Sequence, residues 1–527
     1  MAPTQRAYRA ACPNCGAAVE FASAASASAV CSYCRSTLVR DGDALRRIGV
    51  SAELFDDFSP LQLGAGGRRQ GIAFTLVGRL QYGTAGGTWN EWHALFDNGR
   101  SAWLSEDNGA YVMAFDAPLP ADAPQLDTLR AGARTLADGR AWDVASVVLA
   151  RLIAAEGELP RPPRLQGQFT VVDLRNSAGE VATLDDSDPK AIAWSVGRSV
   201  ALAELALQGL KDASEKTLAA RGVTCPSCGA ALEVKLATTQ SVTCGQCNAV
   251  VDVSGGVGAD LAHYQQNNAG AAGAEPQLAL GRSGTLALGG AALPWEVVGY
   301  QERCTIPQPG DDETEYWREY LLYNRTEGFA FLVDSNEGWS WVKPITGVPQ
   351  LRGDHALCNG VDFRKRWDYA AQVTWVQGEF YWRVRRDERA QVTDYMGSGA
   401  QAGARLSRER SGDEVTWSAG WTLDASAVAD AFGIAPAARA ALQRDAAPLS
   451  SGSGMRKAFW IFVVIVVILV LMSECSGDGC SDIKKTFGAA SNEYRQCEAR
   501  RGAGSIGGIA TGGGSFGGYS SGGGGHK

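Results

Sequence analysis

The chain has 527 residues, enough for several domains rather than one. Hydrophobic residues make up 45% and charged residues 20%, the balance of an ordinary globular protein. A formal net charge of −8 argues against broad, nonspecific nucleic-acid binding, which needs positive charge, but leaves room for a small basic patch.

The opening MAPTQRAYRAACPNC carries no apolar run, so no secretory leader is expected and the bulk of the chain is expected in the cytosol. Residues 8–42 then hold Cys12, Cys15, Cys31 and Cys34 in the pattern C-x2-C-x15-C-x2-C. A CxxC turn sets two thiolates at adjacent corners of a tetrahedron, and two such turns complete a site with four cysteine ligands. Gly16 supplies the backbone twist after the second cysteine and Pro13 stiffens the turn. The expectation is a zinc ribbon with a closed, structural zinc ion. A redox dithiol pair and a catalytic zinc are the weaker readings, since no His or carboxylate is placed as an exchangeable ligand.

Residues 48–218 read as a β-rich domain. Strand-like runs fall at 71–82, 92–97, 101–105 and 168–174, with turn chemistry at Asp97-Asn98-Gly99 and Asn108-Gly109. Val196, Val200, Ala203, Leu207 and Leu210 step by four, three, four and three, which predicts a closing helix. Residues 221–254 repeat the ribbon, with Cys225, Cys228, Cys244 and Cys247, Gly229 and Pro226. A Gly-, Ala- and Asn-rich linker at 255–275 leads to a second β-rich domain at 276–440. Its strand-like runs fall at 295–300, 319–323, 329–333, 371–376 and 379–385, with a turn at Glu337-Gly338 and a closing helix at 425–432 capped by Asp424 or Thr422. Each β-rich domain is expected to be a β-barrel or β-sandwich ending in a helix, so the fold class is mainly β (α+β).

A linker at 441–457 precedes Ala458–Met472, AFWIFVVIVVILVLM, which carries no charge. With Ser473 and snorkelling Arg456 and Lys457 it predicts one transmembrane helix over 458–473. Four basic residues before it (Arg439, Arg444, Arg456, Lys457) against two after it (Lys484, Lys485) put the N-terminal side in the cytoplasm. The tail at 474–527 would face outward, where two of Cys475, Cys480 and Cys497 could pair as a disulfide; its Gly-rich end cannot fold. The expected place is a bacterial inner membrane, single-pass.

The ribbons are offset by 225 − 12 = 213 residues. Trp89-Asn90-Glu91-Trp92 matches Trp317-Arg318-Glu319-Tyr320, Trp194-Ser195-Val196-Gly197 matches Trp417-Ser418-Ala419-Gly420, and Leu165-Gln166-Gly167-Gln168-Phe169 is paired with Val376-Gln377-Gly378-Glu379-Phe380. One unit, ribbon plus β-rich domain, is duplicated.

No catalytic residue and no small-molecule cofactor site stands out: the four His sit in unrelated contexts and no GxSxG, Walker loop or HExxH occurs. His93 is expected on the outer face of a strand. The run Asp185-Asp186-Ser187-Asp188 reads as a solvated loop rather than a calcium site, and Phe380-Tyr381-Trp382 as core and sheet surface. Arg35, Arg40, Arg46 and Arg47 with Tyr33 form a modest basic patch on ribbon one, a minor case for nucleic-acid contact.

Gly378-Glu379-Phe380-Tyr381-Trp382, Tyr395, Leu406-Ser407-Arg408-Glu409 and Glu414-Val415-Thr416-Trp417-Ser418-Ala419-Gly420 resemble a bacterial family known as the domain of unknown function DUF4178. The first β-rich domain looks like a diverged copy that keeps Gly167, Phe169 and the WSVG run but has no LSRE segment. Together the resemblance covers roughly 60–210 and 276–432. It carries no catalytic residue to transfer. It implies CxxC ribbons, and an envelope-associated role beside polyamine-synthase-like and phage-shock-type proteins. The functional expectation is a membrane-anchored zinc-ribbon adaptor with a protein partner. The alternatives are an accessory subunit or novel enzyme of polyamine-type metabolism, and nucleic-acid binding through ribbon one.

Overall fold

A computed structural model describes residues 8–442, apart from 22–25, 42–43, 51–58, 85–87, 108–109, 165, 189, 212–222, 237–238, 254–260, 267–275, 308–313, 325–326 and 386–387. The expected membrane segment at 458–473, the tail with Cys475, Cys480 and Cys497, and the Asn108-Gly109 turn lie outside the described residues. Among the described residues no helix is long and apolar enough to cross a membrane.

Each β-rich copy is a closed antiparallel ring of eight strands. In the first, β1 (Ile72–Gly83), β2 (Thr88–Phe96), β3 (Ser101–Asp107) and β4 (Ala110–Ala117) form one meander. The strands β5 (Arg140–Leu159), β6 (Phe169–Arg175), β7 (Glu180–Asp188) and β8 (Ala191–Ser199) form the other. Pairing of β4 with β8 and of β1 with β5 closes the ring. The second copy repeats this with β9 (Ala292–Ile306), β10 (Tyr316–Asn324), β11 (Gly328–Ser335) and β12 (Gly338–Ile345), followed by β13 (Val361–Phe380), β14 (Arg389–Gly397), β15 (Ala404–Ser411) and β16 (Glu414–Leu423). Here β12 meets β16 and β9 meets β13. The expected pair of runs at 371–376 and 379–385 is corrected: 371–380 lies in the single long strand β13, and 381–385 follow it outside any strand. The β13 bulge near Trp375 breaks the alternation without ending the strand.

Closure buries both faces of most strands. In β2, every residue from Trp89 to Phe96 is buried, one face turned into the barrel and the other covered from outside. Outside the second barrel, Trp295, Tyr320, Trp339 and Trp375 pack under α1 (Ala425–Ala431) through Val428, Ala429 and Phe432. Asp424 caps this helix by accepting from the Ser426 amide at 2.8 Å. The helix expected at the end of the first copy is a correction. Val196 belongs to β8, and among the described residues up to 211 only a 3-10 turn, Leu202–Leu205, follows. Ala201 offers no side-chain cap there, and Ala206 stops the turn at φ 46°. Of the expected residues, Val200, Leu207 and Leu210 still cover Trp92 and Leu104, joined by Leu205, while Ala203 is exposed. Spacing therefore found most of the covering residues, but not Leu205, and not the absence of a helix.

Each ribbon adds a strand to its barrel in one shared register. Ser28–Val30 pairs with the end of β5, Ser28 opposite Leu159 and Ala29 opposite Glu158. Ser241–Thr243 pairs with the end of β13, Ser241 opposite Phe380 and Val242 opposite Glu379. At both junctions the barrel backbones nearly touch. A Cβ on Gly157 (φ 69°) would lie 2.2 Å from the Val77 carbonyl, and one on Gly378 (φ 87°) 2.4 Å from the Val298 carbonyl, so only glycine fits. Gly378 thus corresponds to Gly157, an offset of 378 − 157 = 221, and its expected pairing with Gly167 is corrected. Gly167 also has positive φ, 85°, but its space is bounded by Arg164 and not by a neighbouring strand. The WNEW/WREY and WSVG/WSAG pairings hold in the strand registers.

Candidate metal centres and barrel interiors

The two CxxC turns of each ribbon are built alike. The amide of Gly16 donates to the Cys12 carbonyl at 2.9 Å, and Arg35 to Cys31 at 2.9 Å. In ribbon two, Gly229 donates to Cys225 at 2.8 Å and Asn248 to Cys244 at 2.9 Å. All four donors have positive φ, between 56° and 76°. Sequence reading found Gly16 and Gly229. It missed Arg35 and Asn248, which hold the same left-handed position without glycine; the signal was there in the asparagine, a residue that tolerates this region.

These turns bring together all eight expected ligands: Cys12, Cys15, Cys31 and Cys34 in one group, Cys225, Cys228, Cys244 and Cys247 in the other. Within each group the sulfur atoms lie within 4.8 Å of one another. Cys12 and Cys34 sulfurs are 3.6 Å apart, and the pairs Cys15–Cys31, Cys225–Cys247 and Cys228–Cys244 are each 3.7 Å apart. A tetrahedral zinc–thiolate site with bonds of about 2.3 Å has sulfur–sulfur edges of about 3.8 Å, so both groups fit such an ion. In each group two sulfurs are buried in the ribbon core and one belongs to an exposed residue. The Ser36 hydroxyl and amide draw the Cys34 thiol down to about 5, and the Ala249 amide draws Cys247 down to about 6. Cys15 and Cys228 are pushed up to about 12: the amides of Ala17 and Ala230 pull them down, but neighbouring sulfurs and burial prevail. Crowded thiols that cannot all ionise alone are what a bound cation relieves.

Ribbon two is further clamped to its barrel by the buried carboxylate of Glu379, which accepts from the amides of Lys235 (2.8 Å) and Leu236 (3.0 Å) and from the Thr239 hydroxyl (2.7 Å). On ribbon one, Tyr33 is 81% exposed and Arg47 donates to Asn14 at 3.2 Å.

Inside the second barrel, Arg303 (1% exposed) spans the ring from β9 to β15. Its guanidinium meets Glu409 at 2.9 and 3.0 Å and Glu319 at 3.4 Å, near the Trp317 ring with 5.6 Å to its centroid. Burial, opposed by Arg303, raises the Glu409 carboxyl to about 7. Phe331, Phe380, Tyr381 and Trp382 fill the rest in one continuous cluster. Sequence reading did not link these charges, because each sits in a strand that looks like any half-polar strand.

His93 is not on an outer face: it is 1% exposed, with its ring nitrogens 2.9 Å from the Glu158 carbonyl and 2.9 Å from the Ser101 hydroxyl, and burial lowers its pKa. The 185–188 run is also a correction. It ends strand β7, Asp185 is only 8% exposed, and Asp186 accepts from the Thr170 amide at 2.6 Å. Phe380, Tyr381 and Trp382 are core, as expected. Cys304 is buried, and burial pushes its thiol up.

No curated protein and no solved structure matches the chain. The family model described as "Domain of unknown function (DUF4178)" matches residues 62–202 and 291–425, together more than half of the chain, and each match follows one of the four-cysteine groups. The chain therefore belongs to the DUF4178 family, of which it carries two tandem copies.

Proposed function

We propose that the chain is a membrane-anchored, zinc-stapled adaptor or binding protein, in which the barrels bind and the ribbons brace them. The observation that carries this reading is the shared ribbon–barrel register: the strand leading into the third cysteine of each ribbon hydrogen-bonds to the end of the longest barrel strand. A metal ion at each four-cysteine group then fixes one rim of a barrel, and a closed set of four thiolates suits bracing rather than chemistry. Zinc is the proposed ion, on the fit of the sulfur edges. The run at 458–473 supplies the tether, with the ribbons and barrels on the cytoplasmic side of a bacterial inner membrane.

The test uses the full chain. Metal analysis of the purified protein is expected to return two zinc ions per chain, and fractionated cells to hold the chain in the membrane pellet. Deleting 458–473 should release it to the supernatant with both ions retained. Iron, or no metal, overturns the zinc staple; a wild-type chain in the supernatant overturns the tether. Cross-linking in native membranes then reads the partner, and repeated absence of any cross-linked protein counts against the adaptor role.

A further inference from the structure

The duplication makes the two barrels a controlled comparison. Tyr82 occupies the position of Arg303: the two pair with Trp89 and Trp317 on the next strand, and with Leu152 and Val373 on the long strand. In the same registers Glu91 corresponds to Glu319. Asp185, opposite Ala193, corresponds to Glu409, opposite Thr416; Trp194 and Trp417 follow on the partner strands. The second barrel thus holds its own cation between two buried carboxylates, beside a tryptophan. The first keeps both carboxylates and the tryptophan, and has a tyrosine in place of the cation.

The mouths differ in the same sense. After Phe380, Tyr381 and Trp382 fold into the second barrel, Tyr381 against Phe329 with ring centroids 4.3 Å apart. After Leu159, the counterpart of Phe380, the first barrel has Pro160 and Arg161, and the Arg161–Arg164 segment borders a cavity of about 390 Å³. Around this space the apolar residues form two separate small clusters, one with Leu80 and Trp103 and one with Trp89 and Phe169, instead of one filled core. The cavity is of the size that takes small molecules.

Its walls are acidic and aromatic. Glu91, Asp116, Asp185 and Asp188 line it against Arg161 and Arg164. Arg161 is engaged with Asp116 at 2.9 Å, and Arg164 donates to the carbonyls of Gln166 (3.1 Å) and Asp186 (3.2 Å). Glu91 is 2% exposed and accepts from the Trp89 indole at 3.2 Å; Asp185 accepts from the Ser187 amide at 3.0 Å. Tyr82 stacks on Trp89 with centroids 5.1 Å apart, and Phe169 meets Tyr82 edge-on at 5.7 Å. Burial, then Glu91 and Asp185, push the Tyr82 phenol well above its usual value, as a negative interior requires.

We propose that the first barrel binds an organic cation with a guanidinium or primary ammonium head, the head taken by Glu91 and Asp185 and its alkyl stem by Tyr82, Trp103 and Phe169. The ligand replaces from outside what Arg303 supplies inside the second barrel. Carboxylates give charge-assisted hydrogen bonds, and aromatic faces add cation–π attraction. The proposal rests on the binding reading of the barrels, but on neither the tether nor the identity of the metal.

The probe is n-propylguanidinium, the side chain of the missing arginine, with n-butylammonium, neutral n-propylurea and calcium as comparison arms. Titration calorimetry on the full chain should give one saturable site for the guanidinium or ammonium probe, with n-propylurea at least about tenfold weaker. Glu91→Gln and Asp185→Asn, both nearly isosteric, should each weaken binding by about tenfold or more with metal content and melting temperature held. Tyr82→Arg, which supplies the cation internally, should abolish it. Equal affinity for n-propylurea, binding indifferent to both carboxylate variants, calcium displacing the organic probes at equal concentration, or no saturation below about 10 mM would each overturn the proposal. Failure here with two metal ions and membrane association intact leaves the adaptor reading standing, so the two are separately decided.

Discussion

Replacing Arg303 by Met tests how the second barrel is held from within. Arg303, Glu319 and Glu409 are 1%, 0% and 1% exposed, and the guanidinium reaches Glu409 through two contacts of 2.9 and 3.0 Å. Methionine has comparable length, so the main loss is the counter-charge to two buried carboxylates. Removing one partner of a buried ion pair costs about 3–5 kcal/mol, because the remaining charge is stranded. For a domain of roughly 150–250 residues each kcal/mol moves the melting temperature by about 2–4 °C, so a fall of about 6–20 °C is expected. The loss must also depend on pH with a definite sign. A carboxyl raised in the folded state favours folding when protonated, and that contribution is lost as pH rises through its folded value, about 7 for Glu409 with Arg303 present. Without Arg303 the carboxyl moves higher still, so the deficit of the variant should be smaller at pH 5 than at pH 8. Adding Glu319→Gln and Glu409→Gln should restore most of the stability, since no stranded charge remains. Scanning calorimetry on the wild type, the single variant and the triple variant at both pH values decides the matter. A single-variant loss under about 1 kcal/mol, or a triple variant worse than the single, would refute the reasoning.

Three further outcomes are expected. Cys225→Ser with Cys228→Ser should lose one of two bound metal ions and leave the other, read by metal analysis; loss of both would mean the ribbons are not independent sites. Asp107→Asn should raise the melting temperature at pH 8 and leave it unchanged near pH 4. Burial first, and then Glu414, Glu106 and Asp173, lift the Asp107 carboxyl well above its ordinary 3.8, so its ionised form costs folding stability only above that range. Asp424→Ala should cost about 1 kcal/mol in a urea titration by removing the helix cap at Ser426.

The cysteine groups were legible because their spacing is local: each pair sits in one turn and each turn repeats its hydrogen bonds. Strand identity was legible for stretches such as 72–83 and 101–107. The pairing of strands was not, because ring closure joins β1 to β5 and β9 to β13 across long stretches of chain. Burial on both faces also erased the alternation that marks a half-exposed strand, as along Trp89–Phe96. The interior charges escaped for a related reason. Arg303 and Glu409 are 106 residues apart, and nothing near either one announces the other. The missing helix of the first copy shows the limit of spacing alone: the apolar residues at 200–210 cover the core by a turn and a coil, since Ala201 offers no cap where Asp424 does.

The seating of ribbon one sets an order of events during synthesis. The Ser28 hydroxyl donates to the carbonyls of Leu159 and Arg161, 131 and 133 residues downstream. At ordinary elongation rates that stretch takes on the order of ten seconds to emerge. Until then the ribbon lacks this dock, and a metal ion held by its four cysteines would keep the thiols from straying to other partners.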